Sequence, residues 1–216
     1  MRLKQKPWRF GLTFKVTEAT LVPRPDTEIL VQGAVERLRQ SGQEKPQIAD
    51  IGTGTGAVGL SVLHFVKDAQ LDTVDISPKA REVAEENAAS LELKDRAHFF
   101  TGDLLAPLQG RTYTAILSNP PYIPAKDIEG LSADVRVSVP HTALDGGEDG
   151  LDFYRRLCAE APAMLANGGF MAFEVGIGQA RAVAALALEN PLMAKTEILK
   201  DYAGIDRVVV AWKKEA

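Results

Sequence analysis

The chain has 216 residues, 45% hydrophobic and 25% charged, with a net charge of −4. This is an ordinary balance for one large globular domain that buries a real core, and it gives no global pull toward nucleic acid or an anionic membrane. One cysteine (Cys158) excludes an intrachain disulfide, and three scattered histidines (His64, His98, His141) offer no metal-ligand spacing, so no bound metal is expected.

Along the chain, the basic start "MRLKQKPWRFG" has no apolar stretch behind it, unlike a signal peptide. No segment approaches the roughly 20 apolar residues of a membrane span. A soluble, cytoplasmic, monomeric protein is expected. Residues 10–16 read as a short hairpin. "PRPDTEILVQGAVERLRQSG" then reads as a helix capped by Asp26 and ended by Gly42, with Ile29, Leu30, Ala34, Val35 and Leu38 as its buried stripe. The strand "QIADI", a glycine turn and the helix "AVGLSVLHFVK" follow, and then the strand "LDTVDI". Ser77 caps the next helix, with Pro78 at its first position, and that helix runs to about residue 91.

Two more strands, "AHFFTGD" and "TYTAILSN", precede a long loop over residues 120–148. The helix "GLDFYRRLCAEAPAMLANGG" carries Cys158 at helical spacing among Leu157, Ala161 and Leu165, where a small buried hydrophobe fits better than a nucleophile. The strand "FMAFEVG", the helix "QARAVAALALEN" and the strands "KTEILKD" and "RVVVAWK" close the chain. Strands alternating with helices predict an α/β fold with a mainly parallel, doubly wound sheet. Such sheets bind ligands beyond the carboxyl ends of their strands. "DIGTGTG", "VDIS", "TGDLL" and "SNPPY" all lie there.

The glycine turn fits two cofactor readings. Residues 54–59 match G-x-G-x-x-G, with Asp75 about 20 residues on, as in a dinucleotide site. Yet Asp50 precedes Gly52, Thr53, Gly54, Thr55 and Gly56 directly, and a carboxylate there opposes a pyrophosphate. It suits S-adenosylmethionine, which carries an ammonium and a sulfonium and no phosphate. On this reading Asp50 serves the amino-acid end, Asp75 the ribose hydroxyls and Asp103 the adenine amino group.

The "NPPY" loop indicates what is methylated. An amide nitrogen, like the amino group of adenine, is a poor nucleophile because its lone pair is delocalised. It must be held by both hydrogens with the lone pair aimed at the methyl carbon. The Asn119 side-chain oxygen and the Pro120 carbonyl can accept those hydrogens, with Pro120 and Pro121 stiffening the backbone. Tyr122 offers a stacking face. An adenine-N6 methyltransferase and a cofactor-binding module without catalysis are the alternatives. The first calls for a basic groove, the second has no need of the loop. "LDGGEDGLD" does not keep the EF-hand spacing of a calcium loop.

"LVPRPDTEILV", "DIGTGTGAVGLSV", "SNPPYIP", "ALDGGEDGLDFYRRL" and "FEVGIGQA" together resemble the HemK/PrmC-type protein-(glutamine-N5) methyltransferases, which modify peptide chain release factors. The resemblance runs from about residue 21 to residue 210. It implies a class I (Rossmann-like) methyltransferase fold, seven-stranded, with the last strand antiparallel. It implies S-adenosylmethionine as cofactor, S-adenosylhomocysteine as product, and the glutamine of the release factors' Gly-Gly-Gln motif as substrate. Carried over by motif, Gly52, Thr53, Gly54, Thr55, Gly56, Asp75, Asp103, Leu104 and Asn119 would contact the cofactor. Asn119, Pro120, Pro121 and Tyr122 would contact the glutamine. The family usually has a small helical docking domain ahead of the catalytic one; here residues 1–20 read as a tail or hairpin in its place, and residues 21–216 as the catalytic domain. The chain has Val139-Pro140 where the family commonly has Glu-Pro.

Overall fold

The computed structural model describes residues 4–7, 10–130 and 140–215; Val139 lies outside them. In chain order the elements are β1 (Lys4–Pro7), β2 (Thr13–Val16), α1 (Glu28–Gln40), β3 (Gln47–Ile51), α2 (Ala57–Phe65), β4 (Gln70–Asp75) and α3 (Pro78–Ser90). They continue with β5 (Ala97–Thr101), β6 (Tyr113–Ser118), the short α4 (Ala125–Ile128), α5 (Asp152–Met164), β7 (Leu165–Glu174), α6 (Ala180–Glu189), β8 (Met193–Lys200) and β9 (Asp206–Lys213). β3 to β9 form one seven-stranded sheet in the order β5-β4-β3-β6-β7-β9-β8. Only β9 runs against its neighbours, pairing antiparallel with β7 and β8.

Both faces of the sheet are covered, because the central strands carry runs of consecutive apolar residues and a pleated strand sends them alternately to opposite sides. Ile48, Ala115, Leu117, Phe170, Val208 and Val210 join the core under α1 and α2. Their neighbours Ala49, Ile116, Met171, Phe173 and Val209 join the core under α5 and α6. Leu12 and Phe14 belong to the first core, so the segment ahead of α1 packs with the sheet. The hairpin pairs β2 with β1, whose strand lies earlier than the one expected within residues 10–16.

The expected stripe of α1 is buried, and Val31 and Gly33 are buried with it. Asp26 is not its cap: a 3-10 turn over Pro25–Thr27 precedes the helix, Thr27 takes the cap position, and the Asp26 carboxylate stands 3.6 Å from Arg207 Nη2. Gly42 does end the helix region with φ +62°, and Ser77 does cap α3, accepting from the Ala80 amide at 3.3 Å. α5 stops at Met164, and the "LANGG" expected to extend it belongs to β7. Pro162 has no N–H to offer the Cys158 carbonyl one turn back, and that carbonyl takes a hydrogen bond from Asn190 Nδ2 at 3.2 Å. Cys158 is buried as expected, and burial pushes its thiol up to about 12. Among the described residues no helix is long and apolar enough to cross a membrane.

Candidate active site

A cleft of about 540 Å³ opens beyond the carboxyl ends of β3, β4, β5 and β6. It gathers Asp50, Gly52, Thr53, Gly54, Thr55, Asp75, Asp103, Leu104, Asn119, Pro120 and Pro121, which the sequence scatters over 72 positions. Thr20, Leu21, Pro23 and Thr27 form a further wall, so the "PRPDTE" segment belongs to the cleft. Two expected residues stand outside the lining. Gly56 sits at the head of α2 with φ +81°, where a Cβ would meet Leu60 and Ala84. Tyr122 is half-buried and packs against the second core rather than facing the cleft.

The glycine turn separates the two cofactor readings. Gly52 and Gly54 adopt φ of +71° and +56°, and a Cβ on either would meet open space, so the backbone leaves room for a ligand. A phosphate cradle needs backbone N–H groups aimed at the ligand. Here four of those donors are engaged within the protein. The Gly52 and Thr53 amides donate to the Val74 carbonyl at 2.8 and 3.0 Å, and the Gly56 amide to the Thr53 carbonyl at 2.8 Å. The Gly54 amide donates to Asp75 Oδ2 at 2.9 Å. The lining also sets four carboxylates (Asp50, Asp75, Asp103, Asp145) against a single lysine, Lys79, among the described residues. This donor set fits a cationic nucleoside without phosphate and does not fit a pyrophosphate.

The three aspartates differ in environment. Asp50 is 1% exposed, and its Oδ2 accepts from Thr53 Oγ1 at 2.7 Å and from the Gly59 amide at 3.0 Å. Burial pushes its carboxyl up to about 6, against those two hydrogen bonds. Asp75 braces the turn, accepting from Gly54 on Oδ2 and from the Ser77 amide on Oδ1 at 2.9 Å. Burial raises its pKa as well. Asp103 lies at the exposed rim, where Arg156 grips both of its oxygens at 3.1 and 2.6 Å. Leu104 follows in a left-handed conformation (φ +46°), a strain of about 1–3 kcal/mol for a residue other than glycine.

The Asn-Pro-Pro-Tyr loop leaves β6 where Ser118 Oγ donates to the Ile51 carbonyl at 2.7 Å. Asn119 Nδ2 donates to Thr27 Oγ1 at 3.3 Å. Among the described residues neither Asn119 Oδ1 nor the Pro120 carbonyl accepts a hydrogen bond. The later carbonyls turn to the back of the loop. That of Tyr122 accepts from Gln179 Nε2 at 2.9 Å, and Gln179 Oε1 in turn accepts from the Gly176 amide at 3.0 Å. The "DGGEDG" strap moulds that back face. The Ile123 amide donates to the Leu144 carbonyl, Gly146 to Ile123, and Ala125 to Gly147, at 2.8–3.0 Å. A Cβ on Gly146 would come within 2.8 Å of Tyr122 Cα, and one on Gly150 would overlap the Tyr122 carbonyl. The clamp holds the Tyr122 main chain, and Gly176 leaves room for its ring, where a Cβ would come within 3.0 Å of Cδ2. Thr27, Glu174, Gln179 and the strap glycines were not singled out from the sequence as site residues. The "PRPDTE", "FEVGIGQA" and "DGGEDGL" blocks are their only sequence signal.

Residues 26–147 match the family described as Methyltransferase small domain. The chain is 48% identical to a release factor glutamine methyltransferase of Moorella thermoacetica, covering 95% of this chain and 71% of that protein. It is 46% identical to the Bradyrhizobium diazoefficiens protein of the same name, covering 94% of this chain and 69% of that one. Among solved structures, a methyltransferase from Pyrococcus furiosus superposes with a TM-score of 0.67 at 18% identity, covering 96% of this chain and 91% of that one. TrmN from Thermus thermophilus gives 0.59 at 23% identity, covering 84% and 47%. At such identities the two structures share the fold: a seven-stranded, mostly parallel sheet flanked by helices.

Proposed function

Since this chain belongs to the family of release factor glutamine methyltransferases, we propose that it methylates the side-chain amide nitrogen of the glutamine in the Gly-Gly-Gln motif of peptide chain release factors. S-adenosylmethionine supplies the methyl group, activated on a sulfonium, and leaves as S-adenosylhomocysteine. Asp50 serves its amino-acid end, the remaining lone pairs of Asp75 the ribose hydroxyls, and the Asp103–Leu104 turn the adenine. The two unengaged acceptors, Asn119 Oδ1 and the Pro120 carbonyl, carry this reading. They offer the amide's two hydrogens a partner each, on a backbone stiffened by Pro120 and Pro121 and clamped through Tyr122. Alignment supplies most of the rate. The chain needs no strong base, because a methylated amide nitrogen is very acidic and its proton passes to solvent.

The rival substrate, adenine in a nucleic acid, meets four carboxylates and one lysine in the cleft, a poor match for a phosphate backbone. Incubation with S-adenosylmethionine and either a purified release factor or an oligonucleotide, read by mass spectrometry, tests the proposal. One added methyl group on the Gly-Gly-Gln glutamine supports it. Methyl transfer to another residue, or to adenine, overturns it.

A further inference from the structure

Exposed apolar side chains are unevenly placed on this molecule. Among the described residues six large ones are exposed: Val22, Ile76, Ile177, Leu188, Leu192 and Tyr202. Leu188 and Leu192 stand at the end of the sheet away from the cleft, where α6 leads into β8. The other four stand at the cleft end. Ile76 lines the cleft beside Asp75 and belongs to its cofactor side. Val22 lies between the lining residues Leu21 and Pro23, Ile177 follows β7, and Tyr202 follows β8. In the order β5-β4-β3-β6-β7-β9-β8, the glycine turn and its aspartates fall on one side of β6, and Ile177 and Tyr202 on the other. They flank the Asn-Pro-Pro-Tyr loop opposite the cofactor residues.

One buried side chain ties these connections together. Arg207, at the start of β9 and 7% exposed, donates to Asp201 Oδ2 from Nε at 3.3 Å and from Nη2 at 3.1 Å. Its Nη2 also stands 3.6 Å from Asp26 Oδ2, and its carbonyl accepts the Val175 amide at 2.9 Å. Residues 22–26, 175–177 and 201–207 thus share an anchor. The apolar residues they present are held in place. Ile177, 74% exposed, is at the tip of the turn in which Gln179 Oε1 accepts the Gly176 amide at 3.0 Å. The Tyr202 hydroxyl donates to Gln32 Oε1 on α1 at 3.1 Å. A surface braced in this way binds without the cost of ordering its loops.

We propose that Val22, Ile177 and Tyr202 form a ledge that docks the folded release factor, against apolar residues flanking its Gly-Gly-Gln loop. This rests on the reading that a release factor is the substrate. Apolar residues exposed singly are ordinary, whereas a group gathered on one braced rim marks a contact surface. The occupant follows from the ledge's continuity with the cleft. A Gly-Gly-Gln tip carries little apolar surface of its own, so a folded protein that inserts it must draw affinity from the rim. The cofactor residues take the rim on one side of β6, which leaves the ledge for the chain on either side of the glutamine. Ile177 is the main anchor. It is the most exposed of the three, and Gln179 of the same turn holds the Tyr122 carbonyl at 2.9 Å.

The test is steady-state methyl transfer to a folded release factor at saturating S-adenosylmethionine, with S-adenosylhomocysteine affinity measured by calorimetry. Ile177→Ser should raise KM for the factor about tenfold or more, the worth of one well-buried apolar anchor, and change kcat little. Ile177→Leu should restore most of the parent KM. Leu188→Ser, at the opposite end of the sheet, should leave KM where it was. A parent-like KM for Ile177→Ser, or an equal rise for Leu188→Ser, overturns the ledge while the assigned substrate stands. If the parent itself transfers no methyl group to a release factor, the substrate reading falls and the ledge falls with it. Should Ile177→Ser lose S-adenosylhomocysteine binding through a collapsed turn, Val22→Ser decides, with a raised KM supporting the ledge and an unchanged one refuting it.

Discussion

Asn87 holds the Lys15 peptide from both sides: its Oδ1 accepts the Lys15 N–H at 2.7 Å and its Nδ2 donates to the Lys15 carbonyl at 3.1 Å. The second Nδ2 hydrogen goes to the Thr55 carbonyl at 2.8 Å. One buried carboxamide thus ties β2, α3 and the glycine turn together. Asn87→Ala leaves two carbonyls and an amide without this partner. It should lower stability by about 2–4 kcal/mol, at about 1–3 kcal/mol for each group left unsatisfied and allowing for water reaching some of them. Urea unfolding measures that loss, and calorimetry should show weaker cofactor binding alongside it.

Asp75 has two tasks, bracing Gly54 and Ser77 and facing the cleft. Asp75→Ala should weaken S-adenosylmethionine binding by about 1.5–3 kcal/mol for each charge-assisted hydrogen bond lost. Asp75→Asn, which keeps one acceptor oxygen, should lose less. Equal affinity of the alanine variant and the parent in calorimetry would remove Asp75 from the site.

Gly150 has φ +78°, and a side chain there would run into the Tyr122 carbonyl. Gly150→Ala should displace the loop and cut methyl transfer by about a hundredfold, the scale of a 1 Å misplacement. Cofactor affinity should hold, because Gly150 is not in the cleft lining. Stopped-flow or quenched turnover, paired with calorimetry, separates the two effects.

Asp50 should make stability depend on pH. Its pKa rises from an ordinary 3.8 to about 6 on folding, so the folded chain binds this proton more tightly than the unfolded one. The favourable contribution is complete below pH 3.8 and is lost as the pH climbs through about 6. At about 1.4 kcal/mol per pH unit, this amounts to about 2–3 kcal/mol. Asp50→Asn should therefore gain stability relative to the parent between acid and neutral pH, and bind the cofactor less well. Urea midpoints for both proteins across that range check it, and a difference that stays constant with pH would refute it.

The layout of the sheet was readable in the sequence because strand and helix periods differ and each turn carries its own residues. Four motifs at strand ends also located the cleft. Local pattern failed where a long-range partner decided the outcome. Asp26 has the composition of a helix cap, but it lies in a 3-10 turn near Arg207, which is 181 positions away in the chain. "LANGG" continues a helical run on paper, and the pairing of β7 with β6 makes it strand. Glu174 and Gln179 read as the end of a strand and the start of a helix. The hydrogen bond from Gln179 to the Tyr122 carbonyl follows from the neighbouring ends of β6 and β7, which no window of sequence contains. Tyr122, expected as a stacking face, is absent from the cleft lining, and its ring lies by Gly176 and the second core.

The mould behind the Asn-Pro-Pro-Tyr loop also bears on how such a site can be moved between proteins. Its contacts to residues 144–150 run almost wholly through main-chain atoms and glycines, so the loop's shape is stored outside the four residues that name it. Grafting the tetrapeptide onto the strand end of another sheet would deliver the acceptor groups without their spacing. The smallest transferable unit comprises three separate stretches: the loop, the glycine strap, and the Gly176–Gln179 turn. A designed methyltransferase built on this principle would need to inherit all three together.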